Sequence, residues 1–418
     1  MPSGGSSRRR SAAALALARF GEQGVLGGCL LLLALRLPVA EFGLVSLVVS
    51  FQAMSIVASD HGLGLAVLAT PPGGGVARHH LSRCRSRNGA VLLLTSAVAL
   101  GVAVLMDERT LAAVVALCGL LWAASAEAYI RKSAALRLGR SQEVARIEVA
   151  GSALVLAAVV AGGYPGRAAV ALALGFVLKS LLEALRFPTV VAATFTDDGD
   201  DVAPGWVWGS QVLAYATANV DYVLVGFLLG GRALGLYGLA FRAASLLPSQ
   251  LNAVLVRLGT VDLADRTPGE RRAVMAPLVR RLLVAGAAFG IVGALASPLV
   301  GPVLGDRWAD AAPLMVPLFL VVPWRVLLPV VGMTALVDGR AATLCRLEGL
   351  RLAVTTLAVL VGAVIGVGGV ATLGSLTLIG ATTVLFVRSP LAPAGVPARL
   401  LLAAAAIGST AVLVAAWV

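Results

Sequence analysis

Residues 219–250 decide the fold, and they read NVDYVLVGFLLGGRALGLYGLAFRAASLLPSQ. Two apolar segments meet at a Gly-Gly pair, residues 230–231. The first segment carries one charge, Asp221, and the second carries one, Arg242. If the turn is centred near Arg232, both charges lie at nearly the same depth in an antiparallel helical hairpin, about 15 Å from the turn at 1.5 Å per residue. Opposite charges inside a membrane are least costly as a pair. The stretch therefore predicts a transmembrane hairpin in which Asp221 and Arg242 form an ion pair.

The composition of the whole chain is that of a membrane protein. Of its 418 residues, 59% are hydrophobic and 13% are charged, and the mean hydropathy is +0.93. Soluble domains have about 45–50% apolar and about 25% charged residues. The 47 glycines suit closely packed membrane helices. The composition predicts an all-α polytopic membrane protein.

Apolar runs of about 20 residues, the length that crosses a bilayer, fall into two groups of six. A polar tail, residues 1–11, precedes the first group within residues 12–187, and an acidic linker, residues 188–205, precedes the second within residues 206–387. The predicted spans are 12–35, 39–59, 89–106, 110–130, 146–163, 166–187, 206–229, 235–256, 278–300, 312–336, 349–366 and 369–387.

The C-terminal segment, residues 388–418, is a basic loop followed by one more hydrophobic run. Residues 398–418 are long enough to cross the membrane. This run predicts a thirteenth span, with a helix lying on the membrane surface as the alternative.

The net charge of +12 predicts the orientation of the chain. Arginines cluster in loops that fall on one side of the predicted spans, within residues 78–87, 131–146 and 257–281. Such loops face the cytoplasm. The chain is therefore expected to cross the cytoplasmic membrane many times with its N-terminus inside. This placement also argues against nucleic acid as a partner.

A faint internal repeat indicates two equivalent halves. Residues 43–47, GLVSL, align with residues 235–239, GLYGL, at the start of the second and the eighth span. Because each half has an even number of spans, both halves enter the membrane from the same side. The repeat predicts two six-helix lobes, related by a parallel pseudo-two-fold axis along the membrane normal, with a cavity between them.

Three motifs resemble one known family. Residues 219–242 contain NVD, G, ALGLY and AFR in that order, residues 305–314 read GDRWADAAPL, and residues 40–44 read AEFGL. They are similar to motifs of the polysaccharide transporter branch of the multidrug/oligosaccharidyl-lipid/polysaccharide exporter superfamily, the Wzx-type flippases. The resemblance covers most of residues 12–390. It implies a MATE-like fold of two lobes and the translocation of a lipid-linked oligosaccharide.

Arg325 is the most deeply placed charge within a predicted span. A charge at that depth costs about 2.5–3.5 kcal/mol, and four prolines within residues 313–329 break the surrounding helix. A guanidinium binds phosphate through two parallel hydrogen bonds. Arg325 is therefore predicted to meet the pyrophosphate or acidic sugars of the cargo in the cavity, and a pair with a carboxylate is the alternative.

Other polar residues within the spans are weaker candidates for the cavity. Arg242 and Asp221 are either a structural pair or part of the substrate path. Asn219 and Gln52 are candidates for contacts with sugar hydroxyls, although hydrogen bonds between helices explain them equally well.

Glu22, near the middle of the first span, is a candidate site for coupling to sodium or protons. The alternative is a local pair with Arg19, one helical turn earlier. Two further pairs at four-residue spacing are predicted as anchors near the cytoplasmic interface, namely Lys179 with Glu183 and Glu127 with Arg131.

The sequence contains no motif typical of an enzyme and predicts no cofactor and no metal site. The predicted function is the flipping of a polyprenyl-pyrophosphate-linked oligosaccharide to the outer leaflet for cell-surface polysaccharide or lipopolysaccharide biosynthesis. Expected partners are that substrate, membrane lipids, and the glycosyltransferases and polymerase of the pathway. The alternatives are an ion-coupled small-molecule or multidrug exporter, an integral-membrane enzyme of envelope synthesis, and a transporter-derived scaffold.

Overall fold

The computed structural model describes residues 21–69, 75–105, 107–187, 194–197, 205–254, 268–388, 407–409 and 412. Nearly all of these residues are helical, so the predicted all-α class is confirmed. The chain divides into two compact units, Met1–Val212 and Leu213–Val418, called here the N-terminal and the C-terminal unit.

The N-terminal unit contains seven helices and two very short strands among its described residues. The elements are α1 (residues 21–36), α2 (Val39–Ala58), α3 (Leu63–Ala69), β1 (Val76–Ala77), α4 (Arg78–Leu105), α5 (Arg109–Arg137), α6 (Ser141–Gly162), α7 (Ala168–Leu185) and β2 (Phe195–Thr196).

Helix α8 (Gly205–Val254) begins at the end of the N-terminal unit and continues into the C-terminal unit. The helices that follow are α9 (Pro268–Ala296), α10 (Val300–Leu304), α11 (Ala312–Leu320), α12 (Val322–Arg325), α13 (Leu328–Val337), α14 (Ala341–Ile365) and α15 (Val367–Arg388), with 3₁₀ turns at Ser297–Leu299 and Asp306–Ala311.

Within the described ranges, 9 helices are long and apolar enough to cross a membrane, or 10 if the bent pair Asp306–Leu320 and Val322–Gly332 forms one span. Helix α8 is counted once there although it is broken into two arms. A described helix lies in each of the twelve predicted spans. The predicted thirteenth, residues 398–418, lies outside the described residues except for 407–409 and 412.

The break in α8 forms the hairpin that residues 219–250 predict. Gly230 has φ 83° and ψ 177°, a backbone conformation that is costly for residues with a Cβ. A Cβ on Gly226 would lie 3.0 Å from the Leu234 side chain, so the arms approach each other closely. The bend is therefore at Gly230, two residues before the predicted centre at Arg232.

Prolines interrupt the helices around Arg325, as the sequence predicts. Helix α11 ends at Leu320 and α12 begins at Val322, and the two halves meet at an angle of 50°. The carbonyl of Pro317 accepts a hydrogen bond from Ser375 Oγ at 3.1 Å, which gives one carbonyl of the interrupted stretch a partner. Arg325 is the last residue of the short helix α12.

Part of the predicted acidic linker, residues 188–205, packs into the N-terminal unit. Strand β2 pairs with β1 in parallel, and Phe195 is only 1% exposed within an apolar cluster that includes Leu63 and Ile130. Asp197 remains exposed and pairs with Arg78 at 3.4 Å. The apolar Phe195 thus fixes a linker segment that its acidic neighbours alone would place in water.

Candidate functional site

Arg325 lies against the second arm of α8. Its guanidinium carbon is 4.3 Å from the centroid of the Phe241 ring, and its Nη1 donates a hydrogen bond to Ser245 Oγ at 2.8 Å. Phe241 and Ser245 are one helical turn apart, so a single helix face provides both contacts. A stacked ring stabilises a cation and holds its plane. The predicted alternative, a direct carboxylate partner, is not among these contacts.

Arg242 lies over a second aromatic ring. Its guanidinium carbon is 5.5 Å from the centroid of Tyr222, on the first arm of α8. Tyr222 meets Phe241 edge to face, with centroids 4.8 Å apart and an interplanar angle of 90°. Two guanidinium groups therefore rest on two rings that pack against each other. These residues, Arg242, Arg325, Tyr222 and Phe241, are called the arginine–aromatic cluster.

Asp221 does not form the predicted ion pair with Arg242. Its carboxylate oxygen Oδ2 accepts a hydrogen bond from the Tyr237 hydroxyl at 2.5 Å, and Oδ1 accepts one from the Tyr222 backbone N–H at 2.9 Å. The residue is 9% exposed. The carboxylate that the sequence assigned to an arginine is thus held by two tyrosines.

The position of the bend explains this correction. Hydrogen bonds join residue 221 to residue 237 and residue 222 to residue 238, so the centre of the hairpin is at residues 229–230. The predicted centre at Arg232 would place Arg242 opposite Asp221. The observed centre places Tyr237 there and leaves Arg242 more than one turn farther from the bend.

Asn219 is half-buried. Its Nδ2 donates to the carbonyl of Tyr215, one turn earlier in the same helix, at 2.9 Å. This bond lies within one helix rather than between helices, and a contact with sugar hydroxyls stays a prediction.

A second group of buried charges lies in the N-terminal unit. Lys132 Nζ is 3.1 Å from Glu148 Oε1 and 3.2 Å from Glu183 Oε2. Lys179 Nζ contacts Glu22 Oε1 and is 3.8 Å from Glu183 Oε1. The five residues connect α1, α5, α6 and α7, and are called the lysine–glutamate network.

The network changes the interpretation of two sequence predictions. Glu22, the candidate coupling residue, pairs with Lys179 of α7, while its predicted alternative partner Arg19 lies outside the described residues. The local pair of Lys179 with Glu183 is present, and both residues are buried within the network.

Sequence analysis missed Lys132 and Glu148, which complete the network. One signal was available, because the chain has 33 basic residues and Lys132 and Lys179 are its only lysines. Both lie in the network. A lysine offers a compact charge that two carboxylates can share, whereas an arginine needs room for a planar fork.

A small cavity adjoins the network. Its volume is about 30 Å³, which is room for roughly one or two water molecules. Besides network residues it is lined by Gln52, Ser125 and Ser180. Gln52, a candidate for sugar contacts, therefore lines a cavity too small for a sugar ring.

The predicted pair of Glu127 with Arg131 is confirmed, with an oxygen-to-nitrogen distance of 3.1 Å. Glu127 also receives two hydrogen bonds from Arg85 of α4, at 2.5 and 3.0 Å. This carboxylate therefore joins α4 to α5 in addition to its local partner.

The chain matches one protein family and is similar to one curated relative. The family described as "Polysaccharide biosynthesis protein" matches residues 32–313. Teichuronic acid biosynthesis protein TuaB of Bacillus subtilis (strain 168) is 27% identical over 135 residues. That match covers 32% of this chain, and the chain spans 28% of the length of this curated relative.

Solved structures share the fold. An inward-facing multidrug resistance MATE family transporter of the MOP superfamily aligns with TM-score 0.56 and 15% identity, over 94% of this chain and 99% of that one. An outward-facing MATE family transporter of the same superfamily aligns with TM-score 0.53 and 16% identity, over 97% and 96%. The predicted MATE-like fold is thereby confirmed.

Proposed function

The chain belongs to the polysaccharide biosynthesis protein family, and we propose that it flips a polyprenyl-pyrophosphate-linked oligosaccharide from the cytoplasmic to the outer leaflet of the cell membrane. Its family and its transporter fold make it a multi-pass membrane protein of transport in polysaccharide synthesis. The proposal adds the cargo, the direction and the mechanism, which is alternating access.

The arginine–aromatic cluster is the observation that carries this proposal. Arg325 and Arg242 each lie over a ring, and the N–H groups of a guanidinium lie in its own plane. A guanidinium over a ring can still present N–H groups at its edge, and such groups bind phosphate through two parallel hydrogen bonds. Two such groups next to each other suit a pyrophosphate, which carries oxygens on two adjacent phosphorus atoms.

Asp221 lies beside the cluster and is bonded to its neighbours. Its Oδ2 accepts from the Tyr237 hydroxyl and its Oδ1 from the Tyr222 backbone N–H. Charges within membrane spans cost free energy and commonly mark a substrate path, so two arginines over neighbouring rings support an anionic cargo.

The name of the relative from B. subtilis supports an acidic cargo. Teichuronic acid is, by its name, an acid, and carboxylates bind guanidinium in the same bidentate way as phosphate. An oligosaccharide with acidic sugars on a pyrophosphate anchor would present both kinds of anion to Arg325 and Arg242. Flipping needs no covalent step, and the family and fold point to a transporter.

The partners follow from the same proposal. Membrane lipids surround the polyprenyl chain, glycosyltransferases supply the cargo, and a polymerase uses it after translocation. The arginine distribution favours a cytoplasmic N-terminus. Sodium or protons are candidates for the driving ion.

The proposal is tested by flipping of a polyprenyl-pyrophosphate-linked oligosaccharide in proteoliposomes. Arg325→Ala removes the stacked cation, and we expect the initial rate to fall about tenfold or more, as for loss of a charged hydrogen-bonding group. Arg232→Ala is the matched control, because Arg232 is 65% exposed at the bend of the same hairpin and pairs with Asp310. An unchanged rate in Arg325→Ala, at equal protein levels, would contradict the proposed site.

An ion-coupled small-molecule exporter is the second candidate, and the lysine–glutamate network favours it. Three carboxylates and two ammonium groups lie together in one buried network, and ionisable groups inside a helical membrane protein are typical of ion-coupling sites. If this candidate is right, proteoliposomes will expel a small organic cation in exchange for protons or sodium. Glu22→Gln will abolish that exchange, and no lipid-linked oligosaccharide will be flipped.

A further inference from the structure

We infer that Asp221 is a positioning residue for the arginine–aromatic cluster, acting through Tyr237, and that it does not touch the cargo. The inference rests on the proposed function, because it concerns how the two guanidinium groups are presented to a pyrophosphate. It separates Asp221 from the cavity residues among which the sequence placed it.

Both oxygens of the Asp221 carboxylate accept hydrogen bonds within the hairpin. Oδ2 accepts from the Tyr237 hydroxyl and Oδ1 from the Tyr222 N–H. The side chain is nearly enclosed between the arms of the hairpin. A carboxylate is also repelled by phosphate, so a direct contact of Asp221 with a pyrophosphate would be unfavourable.

Two hydrogen bonds join the arms of the hairpin, and each arm donates one of them. The Tyr237 hydroxyl of the second arm donates to Asp221 of the first, and the Tyr222 hydroxyl of the first arm donates to the carbonyl of Gly238 of the second, at 3.0 Å. Both bonds join residues 16 positions apart. We call these two bonds the tyrosine latch, and they fix the register of the hairpin.

Ring contacts connect the tyrosine latch to the two arginines. Tyr222 meets Tyr237 edge to face at 5.6 Å, and Phe241 lies one turn after Tyr237 with centroids 6.0 Å apart. Tyr222 and Phe241 are the rings under Arg242 and Arg325. The hydroxyl groups of the latch are thus bound within an aromatic layer, and two rings of that layer lie under the guanidinium groups.

Loss of the bond from Tyr237 to Asp221 would release one ring of this layer. The backbone of the hairpin would still be held by the Tyr222 bond and by the close approach at Gly226. The expected consequence is a poorer orientation of the guanidinium groups rather than an unfolded hairpin. A positioning role should therefore weaken binding of the anion without stopping translocation.

The experiment compares Tyr237→Phe, Asp221→Asn and the double variant in the full-length protein. Purified protein is titrated with inorganic pyrophosphate by calorimetry, and the apparent KM and maximal rate of flipping are measured in proteoliposomes. Tyr164→Phe is the matched control, because Tyr164 is an exposed tyrosine of the N-terminal unit.

We expect Tyr237→Phe to raise the pyrophosphate Kd and the apparent KM about five- to tenfold, with the maximal rate changed less than about twofold. This is less than for loss of a direct hydrogen bond to a charged group, because the Tyr237 bond acts on the anion only through the rings. Asp221→Asn keeps one acceptor oxygen for the Tyr237 hydroxyl and should stay within about twofold to threefold of the wild type. The double variant should be no worse than Tyr237→Phe, since both substitutions act on one bond.

Three outcomes overturn the inference. The first is an unchanged Kd and KM in Tyr237→Phe while Arg325→Ala loses flipping, which leaves the proposed function intact. The second is tighter pyrophosphate binding by Asp221→Asn, which would show that Asp221 faces the anion as a charge. The third is wild-type protein that binds no pyrophosphate, which removes the proposed site and the inference together.

Discussion

The two units bury charge in different ways. In the N-terminal unit, the lysine–glutamate network brings each carboxylate into contact with an ammonium group, as in the Lys132 contacts of 3.1 and 3.2 Å. In the C-terminal unit, the arginine–aromatic cluster holds its cations on rings, and the nearby carboxylate is bound by tyrosines. The charges of the N-terminal unit thus contact opposite charges, whereas Arg325 and Arg242 contact aromatic rings.

The two sites also differ in their surroundings. The cavity at the network holds roughly one or two waters, which suits a framework or an exchange of small ions. The C-terminal site is built around a bend at Gly230 and a helix broken at Val321, features of helices that line a path through a membrane protein. The network is thus expected to govern stability, and the cluster to govern the cargo.

The largest effect is expected from Lys132→Met, which leaves two carboxylates of the network without their shared ammonium. Breaking a buried pair by removing one partner costs about 3–5 kcal/mol. Thermal unfolding of the purified protein in detergent should show a corresponding fall in the midpoint. Arg140→Met is the control, because Arg140 and Glu143 form a pair that is 39% and 40% exposed, worth about 0–1 kcal/mol. Equal shifts in both variants would contradict the structural role of the network.

A second effect, on both stability and cargo, is expected from Gly230→Ala. Gly230 combines a positive φ with a ψ near 180°, a conformation that costs about 1–3 kcal/mol once a Cβ is present. Because the bend sets the register that places Tyr237 opposite Asp221, flipping should also slow. Gly380→Ala in α15 is the control, since a Cβ there meets nothing within 4 Å. Loss of stability with full flipping activity would separate the hairpin register from the cluster.

A smaller effect is expected from Phe241→Leu, which removes the ring under Arg325 and keeps an apolar side chain. A cation–π contact contributes about 0.5–2 kcal/mol, so the Kd for pyrophosphate should rise about two- to thirtyfold. Phe227→Leu on the same hairpin is the control, because Phe227 is 85% exposed. A Kd that is the same for both variants would show that the ring does not support the cation.

The sequence predicted the helices better than the contacts between them. Hydropathy located a described helix in every one of the twelve spans, and the Gly-Gly pair located the hairpin. The pair of Asp221 with Arg242 was wrong because a shift of the turn by two residues moves the opposite position by about one helical turn. Periodicity cannot fix a turn to one residue, since Gly230 and Gly231 are both suitable.

The lysine–glutamate network was beyond local sequence patterns. Lys132 and Glu148 lie on different helices, and Lys132 meets Glu183 over 51 positions of the chain. No helical spacing relates such residues. The composition alone indicated these residues, because lysine occurs at only two positions of the chain and both belong to the network. Arg325, by contrast, was found because a charge and several prolines in one apolar span are local features.

The proposed site is tested most directly by measuring whether the protein flips a cargo on a charged lipid anchor faster than on an uncharged one. The same oligosaccharide is offered in proteoliposomes on polyprenyl pyrophosphate and on an uncharged lipid anchor, with wild-type protein, Arg325→Ala and Arg232→Ala. We predict that wild-type protein and Arg232→Ala flip the pyrophosphate form at least about tenfold faster than the form on the uncharged anchor, the effect of one or more charged hydrogen bonds. Arg325→Ala should lose this preference. Equal rates for the two anchors with wild-type protein, or an intact preference in Arg325→Ala, would contradict the proposed site.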